Sequence, residues 1–212
     1  MTRTIAEDFL LIAYGADGRP VYPAISGGMP ALRGTVAGAL LSELVLDRRL
    51  ELAQGLITVV PGAAASTGTP ALDAFHLTVA SEGAPHPPEW WISSVQSDGV
   101  NRRLLGQLVR AGVLGREWRF GGAIYPERDP SARAVIRAHL AAALYDPATA
   151  PPRATALLAL IAAARIGEAA LPGLDPDIRE DRLGAILRTD PIARAARTVL
   201  DDPLISAVLF AA

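Results

Sequence analysis

The stretch RATALLALIAAARIGEAAL, Arg153 to Leu171, decides how the rest of the chain is read. From Ala154 to Ala164 it is apolar apart from Thr155, and it holds neither Gly nor Pro. A helix that is apolar all round is either buried on every side or inside a bilayer. Eleven residues between Arg153 and Arg165 fall short of the roughly 17–25 that a membrane span requires. The segment is therefore predicted as a buried central helix over 153–170, with amphipathic helices packed around it. The expected class is mainly α, a single globular domain over residues 1–212.

The flanking sequence supplies the surrounding helices. Asp-Pro pairs at 129–130, 146–147, 175–176, 190–191 and 202–203 act as punctuation. Asp accepts from free first-turn amides, and Pro fits the first helical position because its missing N–H would be unpaired there anyway. Further helices are predicted over about 130–144, 177–188, 191–200 and 203–211. Near the start, Thr4-Ile5-Ala6-Glu7 matches a capping box and opens a short apolar helix ending near Gly15. Residues 15–34 carry five Gly and three Pro and read as a loop, with Tyr22 as its aromatic. A helix over about 35–46 follows, with Val36, Leu40, Leu41, Leu44 and Val45 on one face. Residues 49–60 then alternate and turn, which predicts a β-hairpin.

Thr69-Pro70 predicts a third helix through Leu72, Phe75 and Val79, with His76 at its boundary. Trp90 and Trp91 cannot share one helix face. One reads as core; its neighbour reads as exposed, half-buried or interfacial. Over Asp98–Gly112, Leu104, Leu105, Leu108 and Val109 form an apolar face that leaves Arg102, Arg103 and Arg110 elsewhere. Gly112 is a good stop signal. Residues 117–126 read as a second hairpin with a Gly121-Gly122 turn. Its Trp118, Phe120, Ile124 and Tyr125 allow two readings: packing on the core, or a tip that meets a membrane or partner.

Composition narrows the function classes. The chain has 212 residues, half of them hydrophobic, no cysteine and a formal net charge of −2. Disulfide and thiolate chemistry are excluded, and no global charge draws the chain to nucleic acid or acidic lipid. All 20 basic residues are arginine. No Gly-rich loop carries the Lys-Ser/Thr of a phosphate-binding motif, and no Ser stands in a Gly-x-Ser-x-Gly elbow. His76, His86 and His139 lack metal-ligand spacing. Glu7-Asp8 and Glu180-Asp181 are adjacent pairs, which do not face each other on a helix. The expectation is a non-enzyme without metal or cofactor. The N-terminal fifteen residues do not form a signal peptide, so a cytoplasmic location is expected.

Several ordered stretches resemble the Golgi phosphoprotein 3 family. They are Thr4–Leu11 (TIAEDFLL), Glu43–Leu46 running into Arg49–Leu52, Thr67-Gly68 with Leu72-Asp73, Trp91-Ile92, Leu104–Leu114, and Ala156–Ile161. Together they span nearly the whole chain, which is identified as resembling a bacterial member. The resemblance implies a non-enzymatic peripheral membrane protein. Its eukaryotic relatives bind phosphatidylinositol 4-phosphate in a shallow basic pocket, insert a hydrophobic hairpin into the bilayer and act as sorting adaptors. The pocket carries over only in part. The family tryptophan falls in the loop where Tyr22 is the nearest substitute. The arginine opening the second helix aligns with Ala37, with Arg33 one turn earlier. Two basic positions align with Asp98 and Asn101, and Arg103 alone falls on a basic position, beside Arg102.

The resemblance thus points to anionic-lipid head-group binding by Tyr22, Arg33, Arg102 and Arg103. The ribbon carrying Trp118, Phe120, Ile124 and Tyr125 would be the membrane or partner anchor, and the inner face of the membrane the expected location. A protein–protein scaffold that has lost lipid binding, with an unidentified protein partner or a homo-oligomer, is the alternative. A winged-helix DNA binder is disfavoured because residues 118–126 hold only Arg119 and the net charge is negative. No nucleic-acid partner is expected.

Overall fold

The computed structural model describes residues 3–21, 28–64, 66–94, 98–120 and 122–202. The element order is α1 (Ile5–Ala13), α2 (Gly28–Leu46), β1 (Leu50–Ala53), β2 (Leu56–Val59), α3 (Pro70–Glu82), α4 (Pro88–Ser94) and α5 (Asp98–Arg110). Then come β3 (Glu117–Arg119), β4 (Gly122–Ile124), α6 (Pro130–Tyr145), α7 (Pro152–Ala163), α8 (Gly167–Ala170), α9 (Pro176–Thr189) and α10 (Pro191–Asp201). The strands form two separate antiparallel hairpins, β1–β2 and β3–β4. The chain is mainly α, as the apolar periodicity predicts.

The central helix is α7. Every residue from Ala156 to Ala163 is buried, and α1, α2, α6, α9 and α10 all pack on it. Its end differs from expectation: the helix predicted over 153–170 stops at Ala163. Arg165 adopts a left-handed φ of 58°. Its N–H donates to the Ala162 carbonyl at 3.1 Å and that of Ile166 to Ile161 at 3.2 Å. This is the Schellman closure that normally recruits glycine. Buried Ile166 completes it, and the chain resumes as the single turn α8.

The start of α2 is the second correction. The helix begins at Gly28, inside the segment predicted as loop. Pro30 lies in its first turn, where proline is tolerated. Gly34 and Gly38 serve packing: a Cβ on Gly34 would lie 3.3 Å from Leu200, and one on Gly38 would lie 3.1 Å from Leu160. Gly34, which reads as loop, and Gly38, inside the predicted helix, are the means by which α2 approaches α10 and α7. The helix predicted over 203–211 lies outside the described residues.

α1 opens with the expected capping box, Thr4 accepting from the Glu7 N–H at 3.1 Å and Glu7 accepting from the Thr4 N–H at 2.8 Å. The fully buried Glu43 of α2 accepts from the Ile5 N–H at 2.6 Å and pairs with Arg153, whose other nitrogen donates to the Arg3 carbonyl at 2.7 Å. One carboxylate thus ties α1, α2 and α7 together. A buried charge held this way is costly to orphan, by roughly 3–5 kcal/mol. At the other end of α1, buried Arg133 donates to the Leu11 and Tyr14 carbonyls at 3.0 and 2.8 Å. A cation is favourable at a helix C-terminus. Trp91 is 1 % exposed and Trp90 37 %, so the pair divides between core and surface.

Candidate functional site

α5 and the β3–β4 ribbon form one continuous stretch. α5 buries Asn101, Leu104, Leu105 and Leu108 against α1, α2 and α3. That leaves Arg102, Arg103 and Arg110 exposed. Arg103 and Arg110, seven residues apart, share one helix face. Gly112 ends the helix with φ 73°, and the Val113 N–H closes back to the Leu108 carbonyl at 3.0 Å. Between residues 98 and 120 five arginines stand against Asp98 and Glu117, a local net charge of +3 in a chain of net −2.

The ribbon is rooted firmly and ends in open apolar surface. Its base is held by Gly115 N–H to Pro126 carbonyl at 2.7 Å and Arg128 N–H to Val113 carbonyl at 2.9 Å. The turn after α1 clasps the same base: Tyr125 N–H donates to Gly18 carbonyl at 3.0 Å, and Glu127 N–H to Ala16 carbonyl at 3.2 Å. Gly18 has φ 80°, and any Cβ there would overlap the Tyr125–Pro126 backbone. Tyr125 is buried and meets the Tyr14 ring edge-on, centroids 5.8 Å apart. Burial, with a smaller push from Tyr125, raises the Tyr14 phenol to about 12. Beyond this root Trp118 is 74 % exposed, and Phe120 is fully exposed. Ile124 is half-buried.

Charged groups frame the aromatics. The Arg116 guanidinium lies over the Trp118 ring, 5.2 Å from its centroid. Glu117 pairs with Arg119 at 3.0 Å and with Arg128 at 3.7 Å. These pairs are exposed and contribute little to stability. The sequence reading overlooked Arg116. Its signal was present, because residues two apart on an extended ribbon share a face.

A family comparison decides what this arrangement is kin to: the sequence model described as Golgi phosphoprotein 3 (GPP34) matches residues 5–202. The chain belongs to the Golgi phosphoprotein 3 family. A comparison with curated proteins gives no match. The match runs from the first residue of α1 to the end of α10, so it covers α5 and the ribbon as well as the core.

Against the family pattern, the predicted site residues scatter. Arg102 and Arg103 stand together on exposed α5, and Trp118 and Phe120 together on the ribbon. Tyr125 belongs to the root and not to the exposed anchor, which corrects its expected membrane-facing place. Its ring is needed to cover Tyr14. Arg33 is half-buried on α2, next to buried Leu32. Tyr22 lies outside the described residues. Ala37 is fully buried, on a face that has no room for an arginine. Asn101 is 4 % exposed, and among the described residues neither its Oδ1 nor its Nδ2 has a hydrogen-bond partner. A buried amide with both ends unmatched is unusual in a packed interior. Among the described residues no cluster of His, Asp and Glu could hold a metal ion, and no helix is long and apolar enough to cross a membrane.

Proposed function

We propose that this Golgi phosphoprotein 3 family member binds anionic membrane surfaces as a non-enzymatic peripheral protein. The observation that carries this reading is the exposed pair Trp118 and Phe120 at the end of a ribbon that continues the arginine-bearing α5. Aromatic side chains next to arginines suit the boundary between head groups and acyl chains. Each arginine near an acidic surface contributes about 1 kcal/mol, so Arg102, Arg103, Arg110, Arg116 and Arg119 act jointly.

For a specific head group, Arg102 and Arg103 would grip phosphate oxygens. Asn101 stands where relatives carry a basic residue, and it is buried with the core-facing side of α5, so it adds no contact to a head group. Departure at Ala37 and Asp98 supports recognition of a general anionic surface more than one phosphoinositide.

Co-sedimentation with vesicles of neutral lipid, phosphatidylinositol, phosphatidylinositol 4-phosphate and cardiolipin tests the proposal. Binding to anionic vesicles is expected, weakening with salt. Arg102→Ala/Arg103→Ala should weaken it about 30-fold, the equivalent of two such contacts. Trp118→Ala/Phe120→Ala should abolish retention on vesicles while leaving the melting curve unchanged. Salt-insensitive binding, or none to any vesicle, rejects this reading and turns the exposed aromatics over to a protein partner.

A further inference from the structure

A cavity of about 520 Å³ opens between the start of α1, the outer side of α6 and the start of α7. Ile5, Ile136, Leu140 and Leu157 form its buried wall, while Val135 and Ala142 stand exposed at the rim. The space is bordered by the connection 146–151, which ends in Pro151 before Pro152 opens α7, through Asp146, Thr149, Ala150 and Pro151. From Val135 to Asp146 it follows α6 for roughly 16 Å, at 1.5 Å per residue. Its volume lies in the range of small-molecule sites. A volume of this size suits a small ligand such as a single alkyl chain.

One corner of this apolar space is charged. Arg3 Nε donates to Asp8 at 2.7 Å, and Arg153 uses one nitrogen on Glu43 and another on the Arg3 carbonyl. A guanidinium carries five N–H donors. These contacts therefore leave most of the Arg3 and Arg153 donors for a further acceptor. Glu43 is buried behind the wall, and exposed His139 completes the corner. Burial pushes the Asp8 carboxyl up, outweighing the opposing pull of Arg3, Arg153 and His139. The corner is only partly buried, the Arg3, Asp8 and Arg153 side chains being 32, 24 and 39 % exposed, so charge pairing there is stronger than in open water but not sealed from it. Asp146, held by the Thr149 hydroxyl at 2.6 Å, lies about 10 Å farther along α6 than His139.

We infer that the cavity between α1, α6 and α7 binds a single-chain amphiphile with an anionic head. The alkyl chain lies along Ile136, Leu140 and Leu157, and the head accepts from Arg3 and Arg153. This site goes beyond the membrane-surface reading and does not rest on it, since none of its residues lies on α5 or the ribbon.

The test uses the full chain and dansylaminoundecanoic acid as a fluorescent probe, at concentrations below micelle formation and without vesicles. Saturable binding at one site per chain is expected. Dodecanoate should displace the probe about ten-fold better than dodecanol or dodecylammonium. Ala154→Phe, which fills the cavity, should weaken probe binding about ten-fold, and Arg3→Gln about five-fold. Where Ala154→Phe perturbs the circular-dichroism melt, Ala142→Phe at the exposed rim replaces it. Absence of saturable binding, binding unaffected by the filling variant, or preference for the ammonium overturns the inference. Because no membrane is present, these outcomes are separate from those of the vesicle experiment.

Discussion

The two hairpins are built alike and dispose of their apolar side chains in opposite ways. In β1–β2, Leu50, Leu52, Ile57 and Val59 pair across one face; Leu50 and Ile57 are fully buried, and Ile57 N–H donates to the His86 carbonyl at 2.8 Å. Its turn, Gln54-Gly55, has φ of 53° and 79° and carries no large apolar residue. In β3–β4 the burial is confined to the root at Tyr125, and the largest apolar groups stand in water at the tip. A two-stranded ribbon gains stability by burying one face. The first ribbon follows that rule; the second departs from it at Trp118 and Phe120. The departure is the reason the membrane-contacting role is proposed for the second.

That contrast can be attacked by mutation. Ile57→Ala in the first ribbon should cost about 2–5 kcal/mol, as for other buried truncations, read from denaturant melts. Gly18→Ala, at the clasp of the second ribbon's root, should cost about 1–3 kcal/mol from its positive φ alone, with the overlap at Pro126 added. It should also shift the amide resonances of Tyr125 and Glu127. The Tyr14 phenol supplies a pH test of the same root. Its folded value is raised above its unfolded one, so the neutral phenol is favoured by folding. Stability is complete below pH about 10 and falls by roughly 2 kcal/mol as pH rises towards about 12. Absorbance of tyrosinate against pH, beside a Tyr14→Phe variant that lacks this decline, checks it. Trp118→Ala and Phe120→Ala should each change stability by less than about 0.5 kcal/mol. A larger loss would mean that the tip is structural after all, and the contrast between the ribbons would disappear.

The sequence made the two ribbons legible but not their difference in burial, because alternation tells which residues share a face and not what covers it. Helix ends show the same limit. Gly112 and Arg165 close their helices with the same left-handed geometry, yet only the glycine announces it in composition. Arg165 is held there by buried Ile166 and by Gly167, where a Cβ would lie 2.7 Å from Leu183. That is long-range packing, invisible to a local reading. Gly34 misleads in the opposite direction, as a packing glycine within α2 that reads as loop. At the candidate site, exposed Arg102, Arg103, Trp118 and Phe120 were visible from spacing and resemblance. Asn101 reads as a lost basic residue until its burial and its unmatched amide are seen.

The clasp at Gly18 gives the second ribbon the mechanics of a lever. Its arm is short, its load falls on Phe120, and its fulcrum is the backbone pairing of Gly18 and Ala16 with Tyr125 and Glu127. Force applied at the tip is therefore delivered to the turn between α1 and α2, while the Arg133 clamp on Leu11 and Tyr14 keeps α1 from yielding. Anything that seated on the tip would act on the helical core through the turn at Ala16 and Gly18.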